Sequence, residues 1–207
     1  MSPVLEALAL LFGVGLAAGL IFTPATRAAA RRIGLVDRPD GRRKVHEMAT
    51  PVAGGIAVFA AAALAVMAFA AFAAGSMAEA VRQNGRALVG LLGGAAVICL
   101  VGVFDDWSRL RSRYKILGQL AAIGVVLLTE QSVEVLALFG REFELGYLSI
   151  PFTVVFLLGA INSLNLLDGM DGLLGTIGTI IFAAIAALAV AAKHPAEACV
   201  AAALAGA

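Results

Sequence analysis

Charged residues are scarce in this sequence, and their scarcity excludes an ordinary soluble domain. They make up 14% of the 207 residues, whereas hydrophobic residues make up 61% and the mean hydropathy is +0.97. Soluble domains carry roughly 25% charged residues, so this composition is typical of a chain in a lipid bilayer. Cysteine is also scarce, since Cys99 and Cys199 lie alone in apolar runs. Neither a disulfide framework nor a zinc site is therefore indicated.

Long apolar runs separated by short charged loops predict an all-α polytopic membrane protein. A hydrocarbon core of about 30 Å requires roughly 20 helical residues. The sequence predicts six complete transmembrane helices and a partial seventh that begins after His194 and Pro195. The six run from Val4 to Pro24, Val52 to Ala74, Ala87 to Phe104, Ile116 to Thr129, Ser149 to Leu164, and Leu173 to Ala192. The fourth is long enough only if Lys115 snorkels toward water from the interface.

Two further features complete the predicted architecture. The first apolar run is expected to remain as a mature helix, because Glu6 stands where a signal peptide would have its basic region. Between the fourth and fifth spans, alternating apolar residues and the dipeptide Gly140-Arg141 predict a small external β-hairpin over residues 130–147. Residues 1–207 are expected to form a single transmembrane domain.

The basic residues are distributed unevenly, and their distribution predicts the orientation. Eleven of the 15 lie in the first and third predicted loops. They are Arg27, Arg31, Arg32, Arg38, Arg42, Arg43 and Lys44, followed by Arg109, Arg111, Arg113 and Lys115. By the positive-inside rule these loops face the cytoplasm and the N-terminus lies outside. A basic loop that only orients the protein is the alternative explanation for the arginines.

Asp105 and Asp106 are expected to open the third loop, at the membrane surface or just within it. Burying an ionised carboxylate near hydrocarbon costs several kcal/mol unless it is paired or bound to a metal ion. An adjacent pair of carboxylates therefore indicates a divalent cation. The alternative is a helix end whose acids pair with Arg109 or Arg111 at helical spacing.

The predicted fifth loop carries amides and acids at every third position: Asn162, Asn165, Asp168 and Asp171. On an ideal helix each step of three residues drifts by about 60°, so all four cannot share one face. A break at Gly169 or Gly172 would bring Asp168 and Asp171 toward Asn165. The alternative is an interfacial loop in which these residues cap helices.

These groups all lie on the predicted cytoplasmic side, which indicates one polar site. Carboxylates from two loops can hold magnesium through oxygen ligands. Arg43, Lys44, His46 and Lys115 can supply positive charge for phosphates. His194 lies on the opposite side and is not assigned to the site.

Three motifs resemble those of the polyprenyl-phosphate N-acetylhexosamine 1-phosphate transferase family. The segment from Asp37 to His46, followed by Thr50 to Gly55, is similar to its first cytoplasmic signature. Asp105-Asp106 with Lys115 and Gln119 is similar to the second, and Asn162 to Gly172 to the third. The form of the first motif looks closer to bacterial undecaprenyl-phosphate GlcNAc-1-phosphate transferases than to the phospho-MurNAc-pentapeptide translocase branch, which stays open as an alternative.

The resemblance implies an enzyme of the bacterial inner membrane that initiates cell-envelope glycan synthesis. It would transfer a sugar 1-phosphate, GlcNAc-1-phosphate on the closer match, from a UDP-sugar to undecaprenyl phosphate and release UMP. The reaction would depend on Mg²⁺, with Mn²⁺ as an alternative. The resemblance implies metal binding by Asp168, Asp105 and Asp106 and a further catalytic role for Asp171. Substrate binding would fall to Arg43, Lys44, His46, Lys115, Asn162 and Asn165.

Several expectations concern partners and competing classes. Beyond the UDP-sugar, the lipid and the membrane, a homodimer is one option for assembly, and no nucleic-acid partner is expected. The family has further helices and a later His-rich loop that this sequence lacks, so the chain is expected to be the N-terminal part of a longer enzyme. A transporter is the competing class, and it predicts acids distributed through the depth of the bilayer. A scaffold subunit is the third.

Overall fold

The computed structural model describes residues 2–37, 50–51, 53–108, 110–167 and 172–207. Contacts within these ranges divide the chain into two compact units. The first unit comprises Met1–Asn84, Gly102–Leu110 and Thr176–Ala207, and the second comprises Gly85–Val101 and Arg111–Gly175.

The described residues are mostly helical, as predicted. The helices are α1 Pro3–Ile33, α2 Gly54–Phe72, α3 Ser76–Gln83, α4 Gly85–Ser108, α5 Ser112–Leu128, α6 Ser149–Leu167, α7 Leu173–Ala191 and α8 Pro195–Gly206. A short 3-10 helix, Gly146–Leu148, precedes α6. The strands are β1 Val36–Asp37, β2 Thr50–Pro51, β3 Val135–Leu138 and β4 Arg141–Glu144, paired antiparallel as β1 with β2 and β3 with β4.

Five helical segments in the described part of the chain are long and apolar enough to cross a membrane. They are Pro3–Ile33, Gly54–Phe72, Gly85–Ser108, Gly146–Leu167 and Leu173–Ala191. This confirms a multi-pass helical membrane protein. Helix α5, at the predicted fourth span, has only 17 residues, and the count of six complete spans stays a prediction.

Helix α1 continues beyond Pro24, where the sequence predicted its end. Proline removes one backbone hydrogen bond from a helix interior, here the bond to the carbonyl of Leu20, but a membrane helix can continue through it. The Thr26 hydroxyl donates to the carbonyl of Phe22 at 2.9 Å. The helix ends at Ile33 and is capped by Gly34, whose φ of 76° suits glycine. Arg27, Arg31 and Arg32 therefore lie on α1 rather than in a loop.

In the first unit, α8 packs closely against α1 through small residues. A β-carbon added to Gly15 would lie 2.5 Å from the carbonyl oxygen of Ala203, and one added to Gly19 would lie 2.6 Å from that of Ala207. Small residues allow this approach of two membrane helices. With 12 residues, α8 is shorter than a complete span and corresponds to the predicted partial seventh.

The amphipathic helix α3 was not predicted, and it also packs in the first unit. Met77, Ala78 and Val81 are buried. The Arg82 guanidinium donates to the carbonyls of Ala70 at 2.9 Å and Ala73 at 3.2 Å. Because the last carbonyls of a helix lack backbone donors, Arg82 caps the C-terminal end of α2.

In the second unit, α5 returns antiparallel along α4. Gly90 contacts Thr129 at one end of the pair, and a β-carbon on Gly118 would lie 2.5 Å from Val101 Cγ2 at the other. Beyond Gly90, Arg86 forms a two-pronged ion pair with Glu130 at 2.8 and 3.0 Å. If α4 crosses the membrane, α5 therefore crosses it in the opposite direction, as the predicted fourth span requires.

The β-hairpin of the second unit confirms the predicted strands. Val135 pairs with Glu144 and Leu138 with Arg141. The turn is Phe139-Gly140, one residue before the predicted dipeptide, and both residues have positive φ, 52° and 74°. Such conformations characterise the tight turns that match strand twist. The external position of the hairpin stays a prediction.

Candidate functional site

The predicted site residues divide into those that the structure describes and those that lie outside it. Arg43, Lys44, His46, Asp168 and Asp171 lie outside the described residues. The described ones are Asp105 and Asp106 in the first unit, and Lys115, Asn162 and Asn165 in the second.

Asp105 and Asp106 lie in the last turns of α4, which ends at Ser108, and not in a loop as predicted. The Ser108 hydroxyl donates to the Phe104 carbonyl at 2.7 Å, which supports this extra turn. Asp105 is half-buried and Asp106 is exposed. The C-terminal end of a helix carries partial negative charge and favours cations. Two adjacent carboxylates there create negative potential that a bound cation would neutralise.

A small apolar cluster joins this end of α4 to the first motif. It consists of Ala30, Leu35 and Ala53, all buried, with Ile56 and Val103 packed against them. Strand β1 pairs with β2 through Val36 with Pro51 and Asp37 with Thr50, so the chain leaves and re-enters the cluster at the two ends of the first motif. Val103 precedes Asp105 by two residues on α4. The first two motifs therefore begin from the same end of the first unit.

A pair of side-chain amides links α5 to α6 in the second unit. Asn162 Nδ2 donates to Gln119 Oε1 at 3.0 Å, and Gln119 Nε2 donates to Asn162 Oδ1 at 3.2 Å. Asn162 Nδ2 also donates to the Leu158 carbonyl at 2.8 Å. Gln119 is only 2% exposed. We call Gln119 and Asn162 the amide pair.

Lys115 and Asn165 lie near the amide pair on their respective helices. Lys115 is half-buried and precedes Gln119 by four residues, so both lie on one face of α5. Asn165 is exposed and follows Asn162 within α6, which continues to Leu167. The first two members of the predicted row of polar residues are therefore helical, whereas the last two lie outside the described part.

The side chains at the end of α4 have the chemistry that magnesium prefers. Mg²⁺ and Mn²⁺ bind carboxylate oxygens, usually from one or two protein carboxylates together with water and phosphate. Asp105 and Asp106 provide two such groups at a helix end that favours positive charge. No cluster of three or more potential ligands from His, Cys, Asp or Glu occurs among the described residues.

Gln119 is the site residue whose partner could not be assigned from the sequence. Its position in the second motif does not by itself indicate what it binds. Its signal is an amide within an otherwise apolar run, because a polar side chain in a membrane helix must find a hydrogen-bond partner. The partner, Asn162, is 43 residues away, and only the packing of α5 against α6 identifies it.

Comparisons with known proteins agree with these motifs. Residues 88–207, more than half of the chain, match glycosyl transferase family 4. The chain is also 31% identical, over 154 residues, to a Bacillus subtilis (strain 168) protein described as a probable undecaprenyl-phosphate N-acetylglucosaminyl 1-phosphate transferase. That alignment covers 73% of this chain and 40% of the B. subtilis protein. The chain thus spans less than half the length of that relative.

Proposed function

Because the chain belongs to glycosyl transferase family 4, we propose that it transfers a sugar 1-phosphate from a UDP-sugar to a polyprenyl phosphate. The B. subtilis relative supports undecaprenyl phosphate as the acceptor and GlcNAc-1-phosphate as the transferred group. The products are a lipid-linked diphosphate sugar and UMP. We further propose a bacterial inner-membrane location, with the N-terminus outside and Asp105 and Asp106 on the cytoplasmic side.

One structural observation supports this proposal most directly. The apolar cluster that contains Val103 packs both ends of the first motif against the last turns of α4, which carry Asp105 and Asp106. The segment between strands β1 and β2, residues 38–49, is rich in arginine and lysine and lies outside the described residues. Both kinds of charge are required to bring a metal ion and two phosphorylated substrates together.

The reaction itself requires little acid–base chemistry from the protein. An oxygen of the polyprenyl phosphate attacks the β-phosphorus of the UDP-sugar, and the bond from that phosphorus to the oxygen bridging to the α-phosphate breaks. The electron pair leaves with UMP. The second pKa of a phosphate monoester is about 6, so the attacking phosphate is largely dianionic at neutral pH. The main barrier is repulsion between two anions.

The proposed residue roles address that repulsion. Asp168, with Asp105 and Asp106, would hold Mg²⁺, or Mn²⁺ in its place. The ion, when bound, supplies positive charge for the phosphate oxygens. Arg43, Lys44, His46 and Lys115 would bind phosphates, and Asn165 and Asp171 would orient the nucleotide or the other ligands. A base role for Asp105 or Asp106 is a secondary proposal.

The test is UMP release by the protein in proteoliposomes that contain polyprenyl phosphate. We predict that Asp168→Asn abolishes magnesium-dependent release while the protein remains in the membrane, because a required metal ligand is lost. Full turnover by this variant would remove Asp168 as a required ligand. Comparing UDP-GlcNAc with UDP-MurNAc-pentapeptide as donor distinguishes the proposed activity from that of the pentapeptide branch.

The positions of the acids argue against transport. A proton or ion pathway places acids through the depth of the bilayer. In the described spans, Glu6 lies in the first turn of α1, and Asp105 and Asp106 lie in the last turns of α4. If a pH gradient across the proteoliposome membrane dissipates only when the protein is present, that result would instead support a transporter.

A further inference from the structure

The amide pair lies where two apolar helices meet. Ala122 and Ile123, on the turn of α5 that follows Gln119, are buried, and apolar packing does not by itself fix how one helix is rotated against another. A reciprocal pair of hydrogen bonds does, because both partners must face each other at one register. A single polar residue at a helix interface is known to specify register in this way.

Asn162 is an exposed residue, yet its side-chain hydrogen bonds are made to protein groups. A primary amide has two N–H donors. One donates to Gln119 Oε1 and the other to the Leu158 carbonyl, while the Asn162 oxygen accepts from Gln119. With both donors used, Asn162 holds α6 in place and does not offer an N–H group to a substrate.

We propose that Gln119 is a positioning residue for the transfer reaction, acting through Asn162. The pair fixes the rotation of the last turn of α6, which carries Asn165 one turn after Asn162. This inference rests on the proposed function, since it assigns Asn162 to positioning within that same site. Misplacing a substrate-binding group by about 1 Å can lower the rate about 100-fold.

A double-mutant cycle on UMP release tests the proposal. Gln119→Met keeps the length of the side chain and removes its hydrogen bonds, and Asn162→Leu removes the other partner. Each single variant is expected to lower kcat about 10- to 100-fold and to change KM for the UDP-sugar less than about threefold, since neither residue contacts substrate. The double variant is expected to match the more impaired single variant, because either change already breaks the pair.

Two results would overturn the proposal. Suppose that Asn162→Leu strongly raises the KM for the UDP-sugar, and that the losses of kcat in the two single variants multiply in the double variant. Asn162 then contacts substrate directly, and the proposal is overturned. A wild-type kcat for Gln119→Met also overturns it. If Gln119→Met does not accumulate in the membrane, Gln119→Asn keeps the amide but shortens its reach, and it is expected to give an intermediate loss of kcat.

A second measurement does not depend on activity. Amide hydrogen exchange in residues 163–167 is expected to quicken at least about tenfold in Gln119→Met, while exchange in residues 150–157 stays unchanged. Leu120→Met is the matched control, since Leu120 is the neighbouring residue on α5 and its side chain is partly exposed. Should the wild-type protein release no UMP, the proposed function fails, yet unchanged exchange in Gln119→Met would still overturn the positioning role independently.

Discussion

The end of α4 and the amide pair place polar groups in an apolar chain in two different ways. Asp105 and Asp106 carry charge and lie at a helix terminus, with Asp106 exposed. Gln119 and Asn162 are neutral, lie within helices, and bond to each other, with Gln119 almost completely buried. In the sequence, Asp105 and Asp106 follow the end of an apolar run, whereas Gln119 lies within one.

The difference between them indicates different functions. An amide pair in which the two side chains bond to each other stabilises one arrangement of helices. Carboxylates at the negative end of a helix dipole make the local electrostatic potential more negative, which favours binding of a cation. The carboxylates at the end of α4 are therefore expected to act in metal binding and catalysis, and the amide pair in helix positioning. Mutagenesis can separate these two roles.

The largest effect is expected at the carboxylates. Asp106→Asn should lower kcat for UMP release about 100-fold or more, the scale of losing one electrostatic stabiliser of a transition state. It should also raise the Mg²⁺ concentration needed for half-maximal activity, and leave the melting temperature nearly unchanged. Glu142→Gln, in the exposed strand β4, is the matched control and should keep wild-type activity. Equal loss in both variants would remove the special role of Asp106.

A smaller effect is expected where α4 packs next to the amide pair. Leucine at Gly118 would collide with Val101, whereas a β-carbon at Gly124 on the same helix meets no atom within 4 Å. Overpacking costs typically 1–3 kcal/mol. Gly118→Leu should therefore lower the unfolding temperature in detergent and Gly124→Leu should not. Similar melting curves for the two would show that α4 and α5 do not pack at this register.

A still smaller effect is expected from a substitution in the apolar cluster next to the end of α4. Val103→Ala removes two methyl groups from a partly buried position beside Ala30, Leu35 and Ala53, which should cost about 1 kcal/mol. If the cluster supports the first motif, the KM for the UDP-sugar should rise as well. Thermal unfolding together with UMP kinetics checks both effects. An unchanged KM would separate the cluster from substrate binding.

The smallest effect is expected at the ion pair of Arg86 and Glu130, at the other end of α4 from Asp105. Both side chains are more than half exposed, 64% and 75%, and exposed ion pairs contribute about 0–1 kcal/mol. Arg86→Gln should shift the melting temperature only slightly, and less at high salt. The reversed pair, Arg86→Glu with Glu130→Arg, should restore any loss. A large shift would mean that the pair is shielded from solvent.

The helical architecture could be predicted from the sequence because long apolar runs leave few alternatives in a bilayer. The helix ends were less predictable. Apolar content alone could not show that α1 passes Pro24, or that α4 extends to include Asp105 and Asp106, because polar residues can continue a helix at the membrane surface. Helix α3 has only 8 residues, too few for an apolar run to reveal it.

The site was predicted as a set of residue types, and its internal contacts were not. Asp105, Asp106 and Asn162 could be chosen because acids and amides are costly in apolar surroundings. That Asn162 bonds to Gln119 depends on the packing of α5 against α6, which no local pattern encodes. The metal and substrate roles of Asp105, Asp106, Asp168 and the other site residues stay predictions.

The contact between α1 and α8 carries a consequence for variation in this protein. At Gly15 and Gly19 the backbone of one helix faces carbonyl oxygens of the other at a distance that leaves no space for a methyl group. Alanine, which is harmless at most positions on a membrane helix, should therefore be rejected at these two. In a library of random variants, tolerance along α1 should fall sharply once per helical turn, at sites where the only acceptable side chain is a hydrogen atom.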